Sequence, residues 1–188
     1  MKNLFTTITA ILLVGCGNSE QSTQQTANTE NAMPPTAKEL LASIGTPLNE
    51  KEKIIADRKY VEKLIDDPST RPSETINRAN HTYSILYIID EERIFVHGVW
   101  MIKGDTFYYM ELVSDGSEIT EEEREVLSAK IISLEKEKGQ LSAPPADEDE
   151  KEIRITWEAI DQFKEKEMQI FNDDQANKNF NIFKNAAN

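Results

Sequence analysis

The chain has 188 residues, with 34 Asp and Glu against 21 Lys and Arg, a formal net charge of −13 and a single cysteine. Nucleic acid and anionic lipid both require clustered Lys and Arg, so this charge argues against either as a partner and permits a basic protein. One cysteine cannot form an internal disulfide, so an apolar core must hold the fold.

Residues 1–15 have the parts of an export signal: Lys2, then an apolar stretch over 4–14 that is about half of what a bilayer span requires. The stretch ends in Leu13-Val14-Gly15-Cys16, which resembles the lipobox of bacterial lipoproteins. An ordinary buried or signal-region cysteine is the alternative. The resemblance is confined to residues 1–16 and implies a diacylglyceryl thioether on Cys16, cleavage before it, and membrane attachment through that lipid. At roughly 0.8 kcal/mol per buried methylene, one acyl chain binds reversibly and two or three hold essentially permanently. In Gram-negative members of that family an aspartate after the cysteine favours the inner membrane. Gly17 stands there, so the resemblance implies the outer membrane on its periplasmic side.

The lipidated Cys16 and the segment to residue 37 form the next unit, rich in Ser, Thr, Gln, Asn and Ala and ending near Pro34-Pro35. Such a composition cannot bury enough apolar area to offset its ordering entropy, which predicts a flexible tether. A coil of about 21 residues reaches roughly 25 Å. Residues 38–188 then form one globular domain, long enough for a single core.

The predicted fold is α+β, a three- to four-stranded antiparallel meander packed with about four helices. Thr36 with Glu39 three residues on reads as a capping box opening a helix through Leu40, Leu41 and Ile44, stopped by Gly45. A second helix starts near Asn49 and carries Ile54, Val61 and Ile65 to Asp67-Pro68. Segments 83–89, 94–102 and 107–113 are rich in β-branched and aromatic residues and read as strands. Gly104-Asp105 puts glycine where a type II′ hairpin turn needs positive φ. A third helix runs from Thr120, with Glu123 as its capping partner, through Val126, Leu127, Ile131 and Leu134 to Gly139. The acidic run 147–150 follows, then Ile153, Ile155 and Trp157 alternate as a short fourth strand. A last helix carries Ile160, Phe163, Ile170 and Phe171, and Phe180, Ile182 and Phe183 are docking residues near the end.

Successive side chains on a strand point to opposite faces, which sorts the meander. With two-residue turns, one face collects Leu86, Ile88, Phe95, Val99, Met101, Met110 and Leu112 and should pack under helices. The other gathers Tyr83, Ile85, Tyr87, Ile94, Val96, Trp100, Ile102, Phe107 and Tyr109. Tyrosine and tryptophan tolerate one wet end, so Tyr83, Tyr87, Trp100 and Tyr109 make the candidate partner-binding set. The alternative is that a helix covers this face too.

Catalytic patterns are nearly absent. His81 and His97 lie in no metal-binding spacing, and His97 falls on the aliphatic face, so no metal site is expected. No Gly-x-Ser-x-Gly elbow or Gly-rich phosphate loop occurs, and Ser114-Asp115-Gly116-Ser117 reads as a turn. The run 147–150 lacks the glycine and spacing of a calcium loop. No cofactor is implied. The expected role is therefore non-enzymatic: a tethered protein-binding or inhibitory module resembling immunity proteins in general character, steered toward a basic partner by its charge. Alternatives are an accessory subunit of an envelope assembly and, with less support, a small hydrolase acting on wall or lipid.

Overall fold

The computed structural model describes residues 33–67, 69–89, 91–145, 151–166 and 168. Cys16, most of the tether, the run 147–150 and the C-terminal phenylalanines lie outside the described residues. Helix α1 (Ala37–Ala42) starts as the sequence suggests, with Thr36 Oγ1 accepting from the Glu39 amide at 3.2 Å and the Glu39 carboxylate accepting from the Thr36 amide at 2.7 Å. Helix α2 (Glu52–Ile55) is a single turn. Asp57, at φ +57, redirects the chain into β1 (Arg58–Leu64), its amide donating to the Asn77 carbonyl at 2.7 Å.

The remaining elements are β2 (Ser73–Asn77), β3 (Thr82–Ile89), β4 (Glu92–Lys103), β5 (Thr106–Ser114), the two-residue β6 (Ser117–Glu118), β7 (Leu127–Leu134), β8 (Lys138–Ala143) and β9 (Ile153–Ile160). Every pairing is antiparallel, and the strands run β1-β2-β3-β4-β5-β7-β8-β9 with β9 returning to β1. The sheet is thus a closed eight-stranded barrel with β6 appended to β5. This corrects the expected three- to four-stranded meander with about four helices. The meander itself exists as β3, β4 and β5, and Gly104 has the positive φ its turn demands.

Two predicted helices are strands, for identifiable reasons. In 58–64 the alternation Tyr60, Glu62, Leu64 against Lys59, Val61, Lys63 is a pleat, and it pairs with β2 and β9. In 127–134 a bulge at Ile132 shifts the parity, so Leu127, Ile131 and Leu134 all fall on one side of a strand. Their spacing imitates a helical stripe, and Ile132 is left exposed. Glu123 does reach back to Thr120, but the turn it caps, Glu121–Glu123, has only three residues. The segment read as a fourth strand is β9, which runs on through Ile160, where the last helix was expected to begin; Phe163 and Met168 then dock on the barrel, and Ile170 and Phe171 lie outside the described residues.

The barrel therefore has apolar packing on both faces. Inside, Tyr60, Tyr83, Ile85, Val96, Trp100, Ile102 and Trp157 form the lumenal cluster. Outside, Leu40 of α1 packs on Val99, Met110 and Leu112, and Phe163 and Met168 cover Leu86 and Ile88. Two glycines make room for lumenal rings. A Cβ on Gly98 would lie 2.5 Å from the Tyr83 ring, and one on Gly139 would lie 2.3 Å from Trp157.

Candidate functional site

An eight-stranded barrel has an interior that side chains fill or that holds one small ligand. The aromatic face read from the sequence is this interior. Tyr83, Tyr87, Trp100 and Tyr109 do converge, but inward: the ring closes on itself, so strands rather than a helix cover the face. Trp100 is fully buried and Tyr83 is 5% exposed, so no protein surface reaches either without opening the barrel.

The two halves of the lumen differ. Segment 48–56 plugs the end formed by the β2–β3, β4–β5 and β7–β8 connections, where Leu48, Ile54, Ile55 and Ala56 join the lumenal cluster. Glu52 is the hub of this plug. Its carboxylate accepts from the Ile102 amide at 2.9 Å and the Asn49 amide at 2.7 Å, and meets His81 Nε2 at 3.2 Å, with both side chains almost wholly buried. Burial alone would raise its pKa, but the bonds from His81, Ile102 and Asn49 outweigh it and hold the carboxyl below its usual range. Trp100 donates its indole N–H to the Thr82 carbonyl at 3.1 Å and stacks on Phe107. Tyr60 donates to the Ile55 carbonyl at 3.1 Å.

Toward the other end, bounded by the β1–β2, β3–β4, β5–β7 and β8–β9 connections, the lumen carries inward carboxylates and phenols. Tyr83, Gly98 and Glu111 stand directly across from one another on β3, β4 and β5, so the Tyr83 ring lies over Gly98 beside Glu111. Tyr109 meets Tyr83 edge-on at 6.2 Å. Glu62 occupies an inward position on β1, between Ser73 of β2 and Trp157 of β9. Glu62, Tyr87, Tyr109 and Glu111 are only partly buried although they face the interior. The Tyr83 hydroxyl, buried, has no hydrogen-bond partner among the described residues.

Electrostatics follow from this geometry. Burial pushes the Glu62 carboxyl up to about 6, offset in part by the neighbouring Thr75 hydroxyl, and burial raises Glu111 as well. Burial also drives the phenols of Tyr83, Tyr87 and Tyr109 well above the ordinary tyrosine value, and the charges of Glu111 and Glu62 push all three further. The three hydroxyls therefore stay protonated and able to donate.

Glu62 and Glu111 were not among the residues singled out from the sequence. Glu111 shares the inward parity of Phe107 and Tyr109, a legible signal, whereas Glu62 was concealed by the helical reading of its segment.

On the outer face, Ser84 Oγ lies 2.9 Å from His97 Nδ1. Burial and then the Arg78 charge lower the His97 pKa to about 4. A base that activates serine must become imidazolium, and a guanidinium disfavours that form. Ser84 is also fully buried, so the pair is built as packing. Among the described residues, no group of three His, Cys, Asp or Glu side chains could hold a metal ion, and no helix is long and apolar enough to cross a membrane. No protein-family model matches the chain, and no curated protein matches it.

Proposed function

We propose that this chain is a lipid-anchored, non-enzymatic binding protein of the cell envelope whose binding element is the polar half of the barrel lumen. The observation that carries the reading is the Tyr83 hydroxyl: it is buried, without a partner among the described residues, and set among Tyr87, Tyr109, Glu62 and Glu111. A buried donor left unpaired costs about 1–3 kcal/mol, a cost that a bound ligand offering an acceptor or donor removes. Partly accessible aromatic walls with a few convergent polar groups are the usual make-up of a small-molecule site. The contact set is therefore Tyr83, Tyr87 and Tyr109 with the two glutamates, while Trp100 belongs to the plug.

Anchoring rests on the Leu13-Val14-Gly15-Cys16 resemblance, with Gly17 favouring the periplasmic face of an outer membrane where the host has one. Cys16→Ser should release the protein from membranes, and unchanged membrane partition would contradict the anchor. For the lumen, the neutral fluorophore N-phenyl-1-naphthylamine should bind one to one and be excluded by Val96→Trp, which fills the interior. Equal binding by both proteins would place the probe elsewhere and overturn the reading.

A further inference from the structure

Glu62 and Glu111 are carried on different walls of the barrel, and each is sensed by the same three tyrosines. Among the described residues, no inward cation answers them. Beside Glu62, the inward positions are Ser73 and Thr75 of β2 and Trp157 of β9. Beside Glu111 stands Gly98 of β4. The other titratable groups at inward positions of these strands are Tyr60, Tyr83, Tyr87 and Tyr109, with Glu92 at the rim. Arg58, an inward cation of β1, sits at the plugged end 3.6 Å from Glu137, and the plug's own pair, Glu52 and His81, is turned to each other.

Two inward carboxylates without a counter-charge among the described residues make an anionic ligand costly and a cationic one favourable. The rings of Tyr83 and Tyr109, edge to face, and of Phe107 beside Tyr109 add faces on which a cation is attracted by the ring quadrupole. The Tyr83 oxygen, without a partner among the described residues, accepts hydrogen bonds as well as donates them, which suits a ligand carrying N–H groups. We infer that the lumen takes a small organic cation, a protonated amine on an apolar or aromatic body, with its ammonium between Glu62 and Glu111 and its body against the tyrosine rings. This specificity rests on the lumen being the binding element.

The test uses three probes of matched size, 2-phenylethylamine, 2-phenylethanol and phenylacetate, titrated calorimetrically into the full chain with empty phosphatidylcholine vesicles as the blank. At pH 8 the amine should bind about tenfold or more tighter than the alcohol, the scale of one charge-assisted contact, and phenylacetate weakest. If the ammonium requires ionised Glu62, with its carboxyl near 6, affinity should fall about tenfold between pH 8 and pH 5. Glu62→Gln and Glu111→Gln should each erase most of the amine's advantage, with circular dichroism showing both folded. Binding of the alcohol or phenylacetate as tight as the amine overturns the cation assignment while leaving a lumenal binder. Failure of all three probes together with N-phenyl-1-naphthylamine overturns both readings.

Discussion

The two ends of the lumen solve the same problem in opposite ways. At the plugged end, Glu52 is buried and has three partners, and its carboxyl is held below its usual range. At the polar end, Glu62 and Glu111 face the interior without a counter-charge among the described residues, and burial raises both. A carboxylate held by three donors specifies structure, whereas an inward carboxylate without a counter-charge is free to meet a ligand. The difference separates scaffold from site within one ring of strands.

The largest effect should come from breaking the plug. Glu52→Ala would strand His81 and the Ile102 and Asn49 amides, a loss of about 3–5 kcal/mol in denaturant unfolding. A loss under about 1 kcal/mol would mean that segment 48–56 is held by its apolar contacts alone. Gly98→Ala comes next, because its Cβ would stand 2.2 Å from the Met110 carbonyl and 2.5 Å from the Tyr83 ring. We expect a loss of about 1–3 kcal/mol from overpacking, together with a displaced Tyr83 ring visible in the near-ultraviolet circular dichroism.

At the polar end the sign reverses. The folded pKa of Glu62, about 6, lies above its ordinary value of 4.5, so the native state binds more protons than the unfolded one between those values and stability falls as pH rises through that window. Glu62→Gln removes this penalty. It should stabilise the protein by about 1–2 kcal/mol at pH 8, with the gain fading to nothing below about pH 4.5, measured by urea melts across pH. Smallest, and most diagnostic, is a pair of hydroxyl deletions. Tyr60→Phe removes a bond to the Ile55 carbonyl and should cost about 1 kcal/mol, whereas Tyr83→Phe removes an unpaired hydroxyl and should leave stability unchanged or slightly raised. Equal costs would erase the distinction between the ends.

Much of the site was legible from the pleat. Alternation over 83–112 separated Tyr83, Tyr87, Trp100 and Tyr109 from Leu86, Val99 and Met110, and the structure keeps that separation as lumen and outer face. What alternation cannot reveal is closure. The seam pairs Tyr60 with Ala159 and Glu62 with Trp157, contacts between distant parts of the chain that leave no local mark. Nor could spacing alone distinguish the Leu127, Ile131, Leu134 stripe of a bulged strand from a helix, since both place the three residues on one side. Without closure the aromatic face looked like an outer surface, and its natural occupant looked like a protein.

The distinction between the ends is tested most directly by following backbone amide shifts by NMR while 2-phenylethylamine is added at pH 8. We expect saturable shifts concentrated on Glu62, Thr75, Tyr83, Tyr87, Tyr109 and Glu111, with Glu52, His81 and Trp100 little changed. Shifts centred on α1, on the segment around Phe163, or on the plug would contradict it.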